Sequence, residues 1–534
     1  AADVSGIAEV DISAFTKGHE AKHKISISIE SPNERQYMYK SLVLQKGEKL
    51  KPELSFPGDP SSHKAAIEVS KLPAVNLRGR LDELIAYPYG CTEQITSTAF
   101  AQLYLAKTAQ LSYSQLQDNE KAIQTTIRQL SQRQTLSGAF SYWPGSTYVN
   151  LWADVFATHF LVLASQDNKA VPTAMLSQAV RNQSKIAGTW QAETEDKLIQ
   201  NDFIQAYRLY VLALAGQPSV NAMNRLREHP SLSAQTAWLL GAAYAVAGQE
   251  NAARELLLGT NSRTYRHYRT DYTFGSELRD KAIQAEGLML IGEDALAFPL
   301  IRDLSAALSS GEWLSTQTTA YALYVWQKFA AKTTDASASF VLTQEKAVSH
   351  KLGSVSFSSP IRLDKGVQIE NTGAQPLYLS LITSGIEPAG VFSETKKGVL
   401  LNVFYEDMEG KRLDASSLTQ GKAFVMVAEV INTTNRDQTL LALTQFVPAS
   451  WELLNKRLNA ENVATTYNSD YYDQRDDRVT HFFELPVGSK RIFRSEVIAA
   501  YEGQYILPST RCQAMYNREV DASVGGMRVS VLKK

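Results

Sequence analysis

The chain has few cysteines, little net charge and no long apolar run, and each shortage excludes a class of protein. Its 534 residues contain two cysteines, Cys91 and Cys512, so a disulfide framework is excluded, although one bridge between the two remains possible. The formal net charge is −1, with lysine and arginine spread along the chain, which gives no electrostatic case for nucleic acid as a partner. No uninterrupted apolar run approaches the roughly 20 residues that a membrane-spanning helix needs.

The first residues contain no initiator methionine, charged leader or apolar signal core. We therefore expect the chain to be a fragment or a processed portion, with any targeting segment outside it. A hydrophobic content of 44% with 20% charged residues is that of an ordinary folded protein, and this length suggests three or four domains.

Hydrophobic periodicity divides the chain into three parts. The first part, up to about residue 75, alternates at period two, and 23–29 is predicted to be a half-buried strand. From about 77 to 332 the pattern is helical, and about a dozen paired, alanine-rich helices predict an α/α toroid. After about 335 alternating strands return, separated by turns, as in antiparallel sandwiches. This order predicts a β-sandwich interrupted by an inserted helical domain and followed by a second sandwich.

The individual segments follow from the two periods. The predicted helices are 95–109, 120–132, 151–165, 202–215, 234–247, 278–292 and 316–330. The predicted strands are 23–29, 36–44, 354–358, 377–382, 399–405, 423–431, 440–446, 481–485 and 491–499.

The octapeptide YPYGCTEQ at 87–94 is the most informative segment. It places a thiol and a side-chain carboxamide three positions apart at a predicted helix start. At this spacing the sulfur of Cys91 can attack the carbonyl carbon of Gln94 and expel ammonia, leaving an internal thioester. With two cysteines in the chain, the pattern C-x-E-Q is expected by chance only about 0.005 times.

The residues around this pair supply what the reaction needs. Pro88 and Gly90 provide the backbone restriction and freedom for a helix-entry turn. The unsatisfied backbone amides of the first helical turn can stabilise a developing oxyanion and favour the thiolate. Water destroys a thioester, and Tyr87 and Tyr89 are suitable shields. For the four motif residues alone, a buried structural cysteine beside a solvated Glu93–Gln94 pair is an equal alternative.

The segment 87–97 strongly resembles the thioester site of bacterial alpha-2-macroglobulins. Other parts of the family's thioester domain are similar to residues 152–154 and 313–323. Its last macroglobulin-like domain is similar to residues 475–478 and 514–516. The resemblance covers nearly the whole chain. It implies a multidomain α + β fold in which an α/α-toroid thioester domain is inserted in a CUB-like β-sandwich and followed by a macroglobulin-like, receptor-binding-like β-sandwich. The resemblance also implies the domain bounds. Residues 1–75 would contain the end of a preceding segment and the first part of the CUB-like domain, and 76–333 the thioester domain. The second part of the CUB-like domain would follow at 334–395, and the C-terminal sandwich at 396–534.

The resemblance also implies a function, that of a broad-spectrum protease inhibitor rather than an enzyme. Cleavage of a bait region, absent from this chain, would expose the thioester of Cys91 and Gln94, which Gly90, Thr92 and Glu93 support. A lysine amine of the protease would then attack the Gln94 acyl group. No zinc, P-loop or dinucleotide motif is present, so we expect no cofactor or metal. The resemblance implies a periplasmic location, a membrane link only through a lipid anchor of the longer precursor, and for some members a penicillin-binding protein as partner.

The chain departs from the family pattern at two places. Thr92 stands where leucine or glycine is usual, and we expect altered packing there rather than lost chemistry. The stretch 190–216 lacks the catalytic histidine of the complement branch, which predicts a preference for amine acceptors. A lid for the thioester is expected at 512–516, with Met515 facing Tyr87; an ordinary core methionine is the equal alternative.

Two other functions stay open at this stage. A thioester adhesin would use the same bond against host surfaces. A carbohydrate-active enzyme on an α/α toroid would need paired acids, for which Asp202, Glu277 and Asp280 are candidates. The acids at 470–477 predict a solvated loop paired with arginines rather than a calcium site, and His159 is predicted to be a hydrogen-bonded core residue.

Overall fold

The computed structural model describes residues 6–29, 31, 33, 35–73, 75–87, 89–191, 198–230, 232–259, 263–266, 270–332, 338–388, 394–454 and 469–534. Tertiary contacts divide the chain into two compact units. The larger unit comprises Tyr37–Ser55 and Lys64–Thr383, and the smaller comprises Ala1–Gln36, Phe56–His63 and Ser384–Lys534. None of the described helices is both long and apolar enough to cross a bilayer.

The chain starts with two antiparallel strands, β1 (Gly6–Thr16) and β2 (His19–Ile29). The predicted strand at 23–29 is therefore present, but the prediction that it is half-buried is wrong. Ile25 and Ile27 are 38% and 49% exposed. Within the described residues β1 and β2 pair only with each other, and the apolar side chains of Ile7 and Ile12 on β1 are exposed as well.

The β part of the larger unit takes strands from both sides of the helical segment. The strands are β3 (Arg35–Leu44), β4 (Lys49–Leu50), β5 (Lys64–Ser70), β6 (Ala109–Gln110), β7 (Ala338–Thr343), β8 (Ala347–Leu352), β9 (Ser356–Pro360), β10 (Gln368–Asn371) and β11 (Leu377–Ile386). They form two sheets, in the orders β4-β10-β7-β8 and β3-β11-β5-β9-β6. Ile67, before the helices, lies opposite Ser359, after them. The helical segment is therefore an insertion in a β domain, as predicted.

Helices occupy the insertion between Leu77 and Lys332. They are α1 (Leu77–Ala86), α2 (Thr92–Phe100), α3 (Leu105–Thr108), α4 (Tyr113–Ser131), α5 (Leu151–Gln166), α6 (Thr173–Thr189), α7 (Leu198–Leu214), α8 (Val220–Arg227), α9 (Ala234–Val246), α10 (Glu250–Leu258), α11 (Thr270–Thr273), α12 (Glu277–Leu290), α13 (Asp294–Ser309) and α14 (Thr316–Lys332). The predicted single helix at 95–109 is wrong. The hydroxyls of Thr96 and Thr98 bond to carbonyl oxygens four residues back, a contact that bends helices, and α2 ends at Phe100.

The helices form a closed double ring. Helices α2, α5, α7, α9, α12 and α14 each contact the next, and α14 contacts α2 again. Helices α1, α4, α6, α8, α10 and α13 pack against this inner ring. Small residues allow the close approach that the alanine-rich pattern predicts, because a Cβ at Gly241 or Gly287 would lie less than 3 Å from the side chain of Leu257. The predicted α/α toroid is present.

The described residues after β11 form strands joined by turns and loops, with no helix among them. The strands are β12 (Thr395–Lys397), β13 (Val399–Glu406), β14 (Arg412–Leu413), β15 (Ser417–Thr419), β16 (Ala423–Asn432), β17 (Gln438–Phe446), β18 (Trp451–Leu453), β19 (Tyr471–Gln474), β20 (Arg478–Leu485), β21 (Lys490–Ala499), β22 (Gly503–Leu507), β23 (Thr510–Ala514), β24 (Asn517–Val524) and β25 (Met527–Leu532). The sheet orders are β12-β24-β23-β17-β20-β19, β14-β13-β16-β21-β18 and β15-β25-β22. Phe483, Phe493 and Cys512 belong to one of the cores between these strands.

Candidate thioester site

Helix α2 begins with a capping box built on a cysteine. Cys91 is the N-cap residue, with extended backbone angles of φ −66° and ψ 168°, and Gln94 is the third helical residue. The backbone N–H of Cys91 donates a hydrogen bond to Oε1 of Gln94 at 3.3 Å, and the backbone N–H of Gln94 faces the thiol. Serine or threonine ordinarily occupies the first position of such a box. The local structure therefore holds the thiol next to the carboxamide, as the spacing predicts.

Helix α4 begins with the same device in its ordinary form. The N–H of Ser112 donates to Oε1 of Gln115 at 2.8 Å, and the N–H of Gln115 donates to Oγ of Ser112 at 3.3 Å. That box is exposed, whereas Cys91 and Gln94 are 0% and 3% exposed. The two boxes share one backbone geometry, so the thiol and the burial are what distinguish the site on α2.

The oxygen and the nitrogen of the Gln94 carboxamide differ in their hydrogen bonding. Its oxygen accepts the hydrogen bond from Cys91, whereas its nitrogen, Nε2, is buried and has no hydrogen-bond partner among the described residues. Leaving a buried donor unsatisfied costs about 1–3 kcal/mol. Loss of this nitrogen as ammonia would remove that cost, while the backbone donor would remain in place for the oxygen.

A buried arginine that sequence reasoning missed holds both neighbours of the cysteine. Arg133 donates from Nη2 to the carbonyl oxygen of Gly90 at 2.9 Å and from Nη1 to Oγ1 of Thr92 at 3.0 Å. Gly90 has φ +68°, which favours glycine. The Thr92 hydroxyl donates in turn to the carbonyl oxygen of Ser141 at 2.6 Å, so the unusual threonine is fully bonded. Pro88, the other predicted turn residue, lies outside the described residues.

Glu93, on α2, is hydrogen-bonded to α14, the last helix of the toroid. Its carboxylate is fully buried and accepts hydrogen bonds from Oγ of Ser97 at 2.5 Å and from Oγ1 of Thr316 at 2.7 Å. The alternative of a solvated Glu93–Gln94 pair is therefore wrong. Thr316 lies in one of the segments on which the family resemblance rests, and closure of the helical ring brings it to the motif.

The predicted shielding residues lie in different places. Tyr87 and Tyr89 are half-buried, and their rings meet edge to face with centroids 5.6 Å apart. Tyr87 lines a cleft of about 430 Å³ that Gln94 also reaches. Met515 is buried, and its N–H donates to the carbonyl oxygen of Leu440 at 3.0 Å. The contact between Met515 and Tyr87 would join the two units and stays a prediction.

Two of the three acids considered for a carbohydrate-active site form hydrogen bonds or ion pairs with neighbouring side chains of the toroid. Asp280 pairs with Arg279 at 2.6 Å and accepts a hydrogen bond from Tyr265 at 2.8 Å. Asp202 accepts from the Thr236 hydroxyl at 3.4 Å, and burial raises the pKa of its carboxyl to about 6. Glu277 is exposed at the start of α12. Asp202 and Asp280 therefore act as buried hydrogen-bond and ion-pair partners within the toroid.

The prediction for His159 is confirmed, because it is fully buried and its Nδ1 lies 2.9 Å from the hydroxyl of Tyr207. Burial lowers the pKa of this imidazole to about 3. The predicted arginine pairs of the acidic loop are also present, with Arg475–Asp473 and Arg478–Asp477 both at 2.9 Å.

The second cysteine lies apart from this chemistry. Cys91 and Cys512 are both reduced thiols, so the bridge left open above is not formed. Burial raises the pKa of the Cys512 thiol, which keeps it protonated.

Comparison with known proteins agrees with the resemblance found in the motif. The family model of the bacterial alpha-2-macroglobulin MG10 domain matches 398–519, and that of the A-macroglobulin TED domain matches 66–193. An alpha-2-macroglobulin of Xylella fastidiosa is 27% identical over 496 residues. The chain is similar to the C-terminal portion of bacterial alpha-2-macroglobulins. The alignment covers 86% of the chain but only 30% of that relative, so the chain corresponds to less than a third of its length.

Solved alpha-2-macroglobulin structures share the fold. The native Escherichia coli protein from domain MG7 to the C-terminus superposes with a TM-score of 0.79 at 21% identity, covering 99% of this chain and 88% of that one. Salmonella alpha-2-macroglobulin reacted with methylamine gives 0.81 at 22% identity, covering 99% of this chain and 36% of that one. The predicted fold class, a helical toroid combined with β-sandwiches, is thereby confirmed.

Proposed function

We propose that Cys91 and Gln94 form an internal thioester and that the whole protein uses it to trap proteases covalently. The observation that carries this proposal is the Gln94 carboxamide, whose oxygen accepts from the Cys91 N–H while its nitrogen is buried and unpartnered among the described residues. The similarity to alpha-2-macroglobulins supports the same chemistry. A structural capping box accounts for the bond to the carboxamide oxygen, but not for a buried carboxamide nitrogen that has no partner among the described residues.

Formation of the bond requires no outside reagent. Sγ of Cys91 attacks Cδ of Gln94, and negative charge develops on Oε1, where the Cys91 N–H already points. The C–N bond then breaks, and the nitrogen leaves as ammonia with the proton of the thiol. The products are one thioester and one ammonia. Burial of both residues protects the bond from hydrolysis.

Trapping consumes the bond once. After cleavage of a bait region upstream of this chain, a lysine amine of the protease attacks Cδ of Gln94. The C–S bond breaks, an amide forms, and Sγ of Cys91 leaves with the proton that the amine gives up. No step restores the thioester, so the protein acts as a single-use inhibitor rather than an enzyme. The sequence between 190 and 216 contains no histidine, and we propose direct aminolysis without an acyl-imidazole, so that glycerol should form little ester.

The proposed setting rests on the family resemblance alone. It comprises a periplasmic location, a lipid anchor in the longer precursor and, as a partner besides the target proteases, a penicillin-binding protein.

Intact mass tests the bond directly. The purified chain should be one ammonia lighter than its sequence predicts, and methylamine should add its whole mass while releasing one titratable thiol. In the native state that thiol reports Cys91, because Cys512 is buried and protonated. Cys91→Ser is the control and should show neither change. A wild-type chain with full sequence mass and a reactive Cys91 thiol would end the proposal.

Covalent trapping is tested on the full-length precursor. Incubation with a protease should give a conjugate that survives denaturation and reduction and that is absent in Cys91→Ser. If the Cys91→Ser precursor forms the conjugate equally well, the thioester is not the trapping group.

A further inference from the structure

The cleft beside Gln94 is built by three helices of the toroid. Gln94 from α2, Leu84 from α1 and Asp118 and Lys121 from α4 all line it. Its volume of about 430 Å³ falls in the range of small-molecule sites. It is large enough for the end of a lysine side chain, and it combines an apolar wall with two charged groups.

We propose that this cleft is the binding site for the acceptor amine and that Asp118 selects cationic acceptors. The inference deepens the proposed function and rests on it. Attack of ammonia on the thioester is the exact reverse of thioester formation. The attacking nitrogen must therefore arrive at the position that Nε2 of Gln94 vacates. Gln94 lines the cleft, and its nitrogen is buried without a partner among the described residues, so we assign the cleft as the path by which an amine reaches that position.

The charges of the cleft decide which acceptors it favours. A lysine amine has a pKa of about 10.4 in water and arrives as an ammonium ion, which gives up its proton before attack. Asp118 is exposed and attracts that ion, and it has no ion-pair partner among the described residues. Glu120, on the same helix, pairs instead with Lys169 at 2.7 Å. Lys121 also lines the cleft and repels a cationic acceptor, so the two side chains act in opposite directions.

The uncharged part of the cleft suits the methylene chain of an acceptor. Leu84, Ile95 and Ala122 line it together with the charged residues. An alkyl chain packed against them gains about 0.8 kcal/mol for each CH₂ that leaves water. The cleft therefore fits a primary aliphatic amine, the chemical class to which a lysine side chain belongs.

The test compares rates of Cys91 thiol release in four proteins, namely wild type, Asp118→Asn, Lys121→Gln and Glu120→Gln. The acceptors are diaminobutane, which is cationic, and hydroxylamine, which is uncharged near pH 7. With diaminobutane at low salt, Asp118→Asn should lower the rate about two- to fivefold, the size expected for one exposed charge. Lys121→Gln should raise it, and added salt should reduce both differences. Hydroxylamine rates should stay the same in all four proteins, and Glu120→Gln should match wild type throughout.

The mass deficit separates failure of this inference from failure of the proposed function. If wild type shows no loss of ammonia, the thioester proposal falls, and the cleft proposal falls with it. If the deficit is present but Asp118→Asn reacts with diaminobutane at the wild-type rate, only the cleft proposal is overturned. Equal slowing of diaminobutane and hydroxylamine also overturns it, because a general disturbance of the site would then explain the effect.

Discussion

The guanidinium of Arg133 holds the carbonyl oxygen of Gly90, the residue that precedes the candidate nucleophile. The Nη2–O distance is 2.9 Å, and a second bond of 3.0 Å joins the same guanidinium to the hydroxyl of Thr92. The arginine is only 7% exposed. It therefore fixes the backbone on both sides of Cys91, and we assign it a positioning role in thioester formation.

Replacement of Arg133 should reduce thioester formation without touching the reacting atoms. In Arg133→Met both bonds are lost, and the free energy of unfolding should fall by about 2–4 kcal/mol. The fraction of molecules that have lost ammonia, measured by intact mass, should fall as well. Arg133→Lys keeps a positive donor and should restore part of that fraction. A folded Arg133→Met protein with the complete mass deficit would show that the clamp is merely structural.

The exposed capping box on α4 allows a test of burial against spacing. Ser112→Cys creates a second cysteine three residues before a glutamine, with the hydrogen bonds of the box already in place. We expect this variant to gain a titratable thiol and no additional stable loss of ammonia, because water reaches an exposed thioester. Mass spectrometry and thiol titration measure both quantities. A second, lasting mass deficit would mean that capping-box geometry alone is sufficient.

The buried carboxylate of Glu93 predicts a cost for losing its partner on α14. Thr316→Val keeps the shape of the side chain but removes the hydroxyl that bonds to the carboxylate at 2.7 Å. The free energy of unfolding should fall by about 1.5–3 kcal/mol, as for hydrogen bonds to charged groups. Thr189→Val is the matched control, since its exposed hydroxyl bonds only to carbonyls of its own helix. Denaturant unfolding of both variants measures the difference, and equal losses would contradict the prediction.

His159 predicts a component of acid sensitivity. Burial lowers the pKa of its imidazole from 6.5 to about 3. As the pH falls below 6.5 the unfolded chain binds a proton that the folded chain refuses until about pH 3, so stability is lost across this interval. Between pH 7 and about pH 4.5 the loss from this group is about 2–3 kcal/mol.

The replacement His159→Phe isolates that component. The variant loses the contact with Tyr207, so its stability at pH 7 should be lower than that of wild type. Its further loss between pH 7 and about pH 4.5 should be smaller by the stated amount. Parallel curves of unfolding free energy against pH would show that His159 does not contribute.

Local patterns in the sequence predicted much of the fold and the centre of the site. Helical and strand periods located the elements, although α4 begins seven residues before its predicted start because Ser112 caps it. The segment 95–109 was wrongly predicted as one helix because threonine side chains compete for backbone carbonyls. The prediction that the strand at 23–29 is half-buried was wrong. Alternation shows that one face of a strand is apolar and the other polar, but it does not show whether another layer covers the apolar face.

The sequence by itself determined the thiol and the carboxamide at capping-box spacing, the glycine of the entry turn and the order of helical and β segments, because these depend on residues a few positions apart. Only the tertiary structure decided that Arg133 clamps the turn, that Thr316 meets Glu93 and that the nitrogen of Gln94 is buried beside a charged cleft. The physical reason is ring closure: α14 returns to α2 over more than 200 residues, and no local pattern encodes which side chains meet there.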